Sequence, residues 1–348
     1  MKERTTIEQH LQRWAGEDTA RQQVSDIVKR LTDTTIAIAG IVAQGSLDGS
    51  PGAVLGENTD GDEQKELDLI ANDLLFAALQ GAPVAYILSE ELDEAIEIDG
   101  NATLSVAFDP LDGSSNIDTN LSIGTIFSVF QSAEGINGSR TSNILQQGTR
   151  QLAAGYVIYG PQTALVITVG EGTHIFTFCR KSRLFLLTTA NVSIPEKTRE
   201  FAINVSNFRH WDHPIRTYID DCLDGDKGLR DGNFNMRWIA SLVAECHRIL
   251  SRGGIFLYPK DKREGYQLGR LRLIYEAQPI SWVIEQAGGG ATTGFQAITD
   301  VQPTDIHQRV PFIFGSREEV ARVERYYAEP HVAGTPSPLF AERGLFRA

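Results

Sequence analysis

An apolar, β-prone run, Ser105-Val106-Ala107-Phe108, leads straight into Asp109-Pro110-Leu111-Asp112-Gly113-Ser114-Ser115-Asn116. No other stretch limits the fold as strongly. Two carboxylates three residues apart leave the end of a strand together, and the Gly-Ser-Ser turn behind them offers free backbone N–H groups. Carboxylates hold a hard cation, and clustered N–H groups hold an anion. Both in one loop point to phosphate chemistry on a divalent metal, at an open sheet edge. Asp, Gly, Ser and Asn also build ordinary turns, but a simple turn has no need of two acids spaced by Pro-Leu.

Charge along the chain fits that division of labour. The 348 residues carry a net charge of −13, which argues against a nucleic-acid or anionic-membrane partner. An anionic substrate therefore needs a local basic patch. Residues 48–118 hold 17 acidic residues and one basic residue, Lys65. Residues 237–272 hold eight Lys or Arg against three acids. The first block can coordinate cations and the second can grip phosphate; the plainer reading is two solvated faces.

The length allows two domains of ordinary size. Cys179, Cys222 and Cys246 share no C-x-x-C spacing and read as reduced structural thiols. Residues 1–14 are polar, without the apolar core of a signal peptide. The longest apolar run, residues 36–43, is far too short to span a membrane. A soluble cytoplasmic protein is expected.

Hydrophobic periodicity predicts one helical stretch over 7–44, a loop over 44–61 and a helix over 65–79 whose inner face includes Leu67, Ile70, Leu74, Leu75 and Ala78. A buried strand follows at 84–88, ended by Ser89-Glu90-Glu91. Strands are then expected at 104–108, 125–130, 155–158, 164–169 and 174–178, with a hairpin turn at Gly170-Glu171-Gly172. The polar stretch 193–198, with Pro195, is the expected boundary between domains 1–195 and 196–348. The second half alternates: strand 202–205, helices 214–222 and 240–252, strand 254–258, strand-like 271–275, and helices 279–287 and 317–327. The mixture predicts an α/β class of layered sheets and helices.

Glu90-Glu91 follows a predicted strand, as Asp109 does. If the two strands are parallel neighbours, both acids reach one sheet edge, where open α/β sheets keep their sites. One Glu could then bind metal while the other orients water. Glu90, Asp109, the Leu111 carbonyl and Asp112 form a plausible partial magnesium shell. Glu276, after the strand-like 271–275, is the candidate for a second ion, and two ions can serve both oxygens of an in-line displacement. For Asp62 alone, a turn or cap is the simpler reading. Among the bases, Arg237, Arg270, Arg272 and Tyr258 are phosphate-binding candidates, and Asn204 could donate its amide. The spacing of Arg270 and Arg272 also allows a plain outward-facing stripe. Gly288-Gly289-Gly290 follows a helix and reads as its C-cap. His210-Trp211-Asp212-His213 reads as a capped turn. Ser114 lacks a nucleophile-elbow context.

The octapeptide resembles the metal-binding signature of class I fructose-1,6-bisphosphatases, bacterial type, and more loosely that of the wider lithium-sensitive sugar- and inositol-phosphatase superfamily. The resemblance extends over Gly61-Asp62 through Lys65-Glu66-Leu67-Asp68, Ser89-Glu90-Glu91 and residues 122–127. It continues over residues 253–259, 271–276 and 303–309. It implies an αβαβα sugar-phosphatase sandwich and Mg²⁺-dependent hydrolysis of D-fructose 1,6-bisphosphate to fructose 6-phosphate and phosphate, in gluconeogenesis or the Calvin cycle. A sedoheptulose 1,7-bisphosphatase, a dual-specificity enzyme or an inositol phosphatase is the alternative substrate reading. A non-catalytic sugar-phosphate-binding regulator is a further one, and it would predict losses among the acids.

By the same resemblance, Glu90, Asp109, the Leu111 carbonyl, Asp112 and Glu276 bind two or three Mg²⁺ per subunit, with Mn²⁺ or Zn²⁺ as substitutes. Asp62 lies near a third metal position. Asp68 and Glu91 activate the attacking water. Asp112, Gly113, Ser114 and Ser115 contact the 1-phosphate. Asn204, Arg237, Tyr258 and Arg270 hold the sugar and its 6-phosphate, with Arg237 reaching a neighbouring subunit of a homotetramer. Three positions depart from the family pattern: Arg270 stands for Lys, and Trp238 and Asn207 stand for Tyr. At the places of the family's AMP contacts this chain has Val24-Ser25-Asp26, Thr103-Leu104 and Gln131. Weak or absent AMP inhibition is therefore expected. The Cys-rich insert of light-regulated plastid forms is missing, so disulfide control is not expected.

Overall fold

The computed structural model describes residues 4–47, 51–57, 63–132 and 144–329. The expected single helix over 7–44 forms as two. Helix α1 (Ile7–Ala15) opens on a reciprocal cap between Thr6 and Gln9 and closes at Gly16, which has φ 52°. Helix α2 (Thr19–Gln44) restarts behind Asp18, whose Oδ1 accepts the N–H groups of Ala20 and Arg21 at 2.9 and 3.0 Å. The apolar period runs through both, but a glycine at positive φ and a capping aspartate break the axis.

The expected loop over 44–61 contains a strand. Strand β1 (Val54–Glu57) pairs with β2 (Glu63–Lys65) as an antiparallel ribbon. Helix α3 (Glu66–Leu79) buries Leu67, Ala71, Leu75 and Leu79, while Ile70, expected inside, is 36 % exposed.

The first large sheet contains β3 (Val84–Ser89), β4 (Ile96–Glu97), β5 (Leu104–Asp112), β6 (Ile123–Gln131) and β7 (Gln151–Tyr159). It is completed by β8 (Thr163–Thr168), β9 (Thr173–Cys179) and β10 (Leu184–Thr189). Spatial order is β10-β9-β8-β7-β6-β5-β3-β4. Strands β4 and β10 were not expected from the pattern, whereas the β8–β9 hairpin is as expected, with Gly170 and Gly172 both at positive φ. Residues of β7 and β8 alternate between two cores: Val157, Leu165 and Ile167 face one, and Tyr156, Ala164 and Val166 the other. A sheet covered on both faces reads as continuous apolar runs, which is why these strands were easy to find.

The second half adds β11 (Glu200–Ala202), α4 (His213–Asp224), β12 (Asn235–Met236), α5 (Leu242–Arg252) and β13 (Ile255–Tyr258). It continues with β14 (Leu271–Arg272), α6 (Gln278–Gln286), β15 (Gly290–Thr292), β16 (Arg309–Val310), β17 (Phe312–Gly315) and α7 (Arg317–Ala328). Five of these strands form a mixed sheet ordered β12-β11-β13-β17-β15, and β14 pairs with β16. Three expectations shift. The strand expected at 202–205 is β11, and Asn204 caps a short 3-10 turn after it by accepting the Ser206 N–H. The helix expected from residue 240 starts at Leu242, because Ala240 takes φ 59° and Ser241 caps. The strand expected at 271–275 is only β14; a π-helical turn, Leu273–Ala277, replaces its end and runs directly into α6.

Five layers result. Helices α1 to α3 cover one face of the eight-stranded sheet around Leu31, Leu75 and Phe127. Helices α5 and α6 fill the space between the two sheets around Val243, Ile280 and Phe314. Helices α4 and α7 cover the far face of the five-stranded sheet around Tyr218, Leu257 and Val323. This is the expected α/β/α/β/α sandwich.

Candidate active site

Strands β3 and β5 are parallel neighbours in a register that sets Ser89 opposite Phe108. The next residues, Glu90 and Asp109, therefore leave the sheet side by side, and the Glu90 N–H donates to the Phe108 carbonyl at 3.2 Å. Strand β5 does not stop at Asp109. Its pairing with β6 breaks between Asp109 and Asp112 and resumes at Asp112, so the Pro-Leu pair forms an irregularity. That bulge lets two acids three apart face the same side. It is held from below: the Thr125 hydroxyl donates to the Pro110 carbonyl at 2.9 Å and meets the Tyr159 hydroxyl at 2.8 Å. Asp109 Oδ1 accepts the Leu111 N–H at 2.9 Å.

The π-helical turn brings Glu276 to the same point from the other half of the chain. Ligand oxygens of Asp109, Asp112 and Glu276 lie within 4.8 Å of one another, and all three residues are buried. Like charges this close repel, and burial raises the cost. Burial and then the Glu90 and Asp112 charges push Asp109 well above the ordinary carboxylate range. Burial, Glu90 and Asp112 do the same to Glu276. Asp112 is raised to about 7 by burial, against the pull of the Val243 and Leu242 N–H groups. Val243 donates to Asp112 Oδ2 at 3.0 Å, so the positive end of α5 faces this acid.

Two basic groups answer the acids. The Arg272 guanidinium lies 3.1 Å from Glu90 Oε1, and its backbone N–H donates to Glu276 at 2.6 Å. Lys65, 7 % exposed, reaches Asp118 at 2.8 Å. Glu91 accepts from the Gln64 amide at 2.5 Å. Asp68 sits in the first turn of α3 and accepts the Lys65 N–H at 2.8 Å, while its buried Oδ1 has no hydrogen-bond partner among the described residues. Burial raises Asp68 to about 7, with Glu91 and Glu90 adding to the shift.

After Asp112, Gly113 takes φ 78° and starts a 3-10 turn, Ser114–Thr119, that aims its N-terminal residues into the site. Asn116 ties this turn to the second half by donating to the Ala240 carbonyl at 2.7 Å. A cavity of about 610 Å³ opens here. It is lined by Glu90, Glu91, Asp109, Leu111, Asp112, Gly113, Ser114, Ser115 and Glu276 together with Asn204, Tyr258, Arg270 and Arg272. Trp238 and Phe256, stacked with 5.9 Å between ring centroids, form part of the wall. The outward-stripe reading of Arg270 and Arg272 is thus corrected: both line the cavity.

Three candidates stand apart. Asp68 is buried behind Glu91 and does not line the cavity. Arg237 also lies outside it, 45 % exposed and 3.6 Å from Glu200. Asp62 lies outside the described residues. Sequence reasoning missed Lys65, Gln64 and the α5 amides. Lys65 was the one base inside the acidic block, a signal that could have found it. The α5 amides had no side-chain signal.

Family models described as "Fructose-1-6-bisphosphatase, N-terminal domain" and "Fructose-1-6-bisphosphatase, C-terminal domain" match residues 4–190 and 194–328. A fructose-1,6-bisphosphatase class 1 of Rhizobium meliloti is 54 % identical over 337 residues, covering 96 % of this chain and 95 % of its own. One from Xanthobacter autotrophicus is 53 % identical, covering 97 % and 90 %. The solved holo form of Leishmania major fructose-1,6-bisphosphatase superposes with a TM-score of 0.86 at 34 % identity, covering 94 % of this chain and 99 % of that one. With the five-layer fold, the acidic cluster and these matches along nearly its whole described length, the chain belongs to the class 1 fructose-1,6-bisphosphatase family.

Proposed function

We propose that this chain is a phosphatase that hydrolyses D-fructose 1,6-bisphosphate to fructose 6-phosphate and phosphate with magnesium. One observation carries the reading. Buried Asp109, Asp112 and Glu276 converge beside the Gly113–Ser115 turn, and Asn204, Tyr258 and Arg270 line the same cavity. The acids and the turn suit a phosphate on metal, and the Asn204, Tyr258 and Arg270 donors suit a second phosphate, which favours a bisphosphate over a monophosphate.

The donor set fits a hard divalent cation. Three buried carboxylates keep raised proton affinities even with Arg272 beside them, and oxygen donors are what magnesium takes. Glu90, Asp109, the Leu111 carbonyl, Asp112 and Glu276 would hold two ions, with Asp62 near a third; Mn²⁺ or Zn²⁺ could replace Mg²⁺. Bound there, magnesium supplies charge neutralisation at the transferred phosphoryl group and its leaving oxygen. Glu91, fixed by Gln64, and Asp68 behind it orient the attacking water and take its proton. N–H groups of Gly113, Ser114 and Ser115 bind the 1-phosphate with Asp112 at their start. Asn204, Tyr258 and Arg270 hold the sugar and its 6-phosphate.

In this reading residues 1–195 supply the acids and residues 196–348 the sugar-phosphate contacts. Arg237, exposed and outside its own cavity, is proposed to reach a neighbouring copy in a homotetramer. The expectation of a cytoplasmic enzyme is kept; among the described residues no helix is long and apolar enough to cross a membrane. AMP insensitivity is proposed from Val24-Ser25-Asp26, Thr103-Leu104 and Gln131, which carry none of the family's contacts for that nucleotide. The reaction belongs to carbohydrate metabolism and gluconeogenesis, and the same hydrolysis would serve the Calvin cycle. The complete set Asp68, Glu90, Glu91, Asp109, Asp112 and Glu276 disfavours a non-catalytic regulator. Phosphate release from fructose 1,6-bisphosphate, sedoheptulose 1,7-bisphosphate and an inositol monophosphate, each with and without AMP, tests the proposal. Fructose 1,6-bisphosphate should be preferred, and a clear preference for the monophosphate would overturn the reading.

A further inference from the structure

Arg270 lines the cavity with a long, charged side chain that is not left to find its own conformation. Its guanidinium donates to the Tyr266 hydroxyl and lies 5.3 Å from the centre of the Tyr266 ring. Tyr266 does not line the cavity. It belongs to the connection between β13 and β14, and that connection is fixed in turn. The Tyr266 carbonyl accepts the N–H groups of Asp261 and Gly269, both at 3.1 Å, and the Tyr266 N–H donates to the Arg263 carbonyl at 3.1 Å. Arg263 lies over the ring at 4.1 Å and is pinned by both carboxylate oxygens of Asp261.

We infer that Tyr266 is a positioning residue that holds the Arg270 guanidinium in place for the distal phosphate of the substrate. A free arginine loses rotamer freedom when it grips a phosphate, and a partner that has already ordered it removes that cost from binding. The Tyr266 hydroxyl accepts from Arg270, so the contact fixes the direction of the guanidinium. The ring beneath adds a cation–π attraction that a smaller side chain would not give. The inference rests on the proposed role of Arg270 and adds to it a residue outside the cavity.

The test compares Tyr266→Phe, Arg270→Ala, Arg270→Lys and the double variant Tyr266→Phe/Arg270→Lys, with fructose 1,6-bisphosphate and fructose 1-phosphate as substrates. Tyr266→Phe keeps the ring and the turn, so it tests the hydroxyl alone. Its KM for the bisphosphate should rise about tenfold, the size of one lost hydrogen bond to a charged group. Its kcat should stay within about twofold, and its KM for fructose 1-phosphate, which has no distal phosphate, should not move. In the Arg270→Lys background the same substitution should have no further effect. An equal KM rise for both substrates would mean a general structural role and would overturn the inference. So would an unchanged bisphosphate KM in Tyr266→Phe beside a raised one in Arg270→Ala. An unchanged bisphosphate KM in Arg270→Ala would instead overturn the role of Arg270, and the inference with it.

Discussion

The backbone N–H of Val243 donates to Asp112 Oδ2 at 3.0 Å, although the two residues are 131 positions apart. Through this contact the first turn of α5, from the second half of the chain, sets the direction of an acid that belongs to the first. Asn116 and Ala240 make a second bridge beside it. Neither half completes the acidic cluster alone, since Glu276 also comes from the second half.

Gly124 protects that contact. A Cβ added there would stand 2.5 Å from the Val157 carbonyl oxygen and 2.8 Å from Val243 Cγ2. Gly124→Ala must displace the β7 backbone or push Val243, and with it the amide that faces Asp112. The expected loss is about 1–3 kcal/mol of stability, the usual size of overpacking. The Mg²⁺ concentration for half-maximal activity should rise with it. Thermal unfolding and a magnesium titration check both; a variant with wild-type values would contradict the coupling.

Asp109→Asn should separate stability from activity. Burial and the neighbouring Glu90, Asp112 and Glu276 charges make an ionised Asp109 costly in the metal-free protein. Asparagine keeps an oxygen to accept the Leu111 N–H and removes the charge. Turnover should vanish, while the metal-free protein gains on the order of 1–2 kcal/mol, as relief at strained active sites commonly gives. Magnesium should raise the melting temperature of wild type and leave that of the variant nearly unmoved. Calorimetry in chelator and in Mg²⁺ reads all three effects.

The same acids set a pH dependence. Asp68 and Asp112 are each raised from 3.8 to about 7 in the folded chain. The folded state then holds protons that the unfolded state releases, so these groups favour folding fully below pH 4. That contribution is lost as pH rises from about 4 through about 7. The melting temperature in chelator should therefore fall for wild type relative to Asp68→Asn across that range. A difference between the two proteins that is flat with pH would show that Asp68 is not perturbed.

Ala240 holds a left-handed backbone with φ 59° at the edge of the cavity, where its carbonyl accepts from Asn116. A side chain there costs about 1–2 kcal/mol, part of which Gly returns as extra freedom in the unfolded chain. Ala240→Gly should thus gain about 0.5–1 kcal/mol in denaturant unfolding with the fold unchanged. A loss of stability would mean that the Ala240 methyl group contributes packing that outweighs the strain.

Much of this was legible in the residues themselves. The near-continuous apolar runs in β5 to β8 marked the central sheet because both of its faces are covered. The two strand-end acids, Glu90 and Asp109, came together because β3 and β5 are parallel neighbours, as their placement suggested. Glu276 was found, but its setting was not. Leu271 to Tyr275 has strand character, but the pairing with β16 covers only Leu271 and Arg272, and the Gln278 N–H then donates to the Leu273 carbonyl to close the π-helical turn, a switch no apolar pattern announces. Arg270 and Arg272 look equivalent in sequence, yet one turns to Tyr266 and the other to Glu90. The break between α1 and α2 was written in Gly16 and Asp18, and a longer apolar period masked it. Two-residue strands such as β12 and β14 carry no period at all, and tertiary contacts alone create them.

The cluster of Asp109, Asp112 and Glu276 is proposed to make this chain a magnesium-dependent sugar bisphosphatase. The most direct test follows phosphate release from fructose 1,6-bisphosphate by one sample of the full chain, first in Mg²⁺, then in excess chelator, then with Mg²⁺ restored. Asp112→Asn runs in parallel. Hydrolysis in Mg²⁺ that falls to background in chelator, returns with the metal and is absent in the variant is the predicted result. Hydrolysis that persists in chelator, or that survives in Asp112→Asn, would contradict the account.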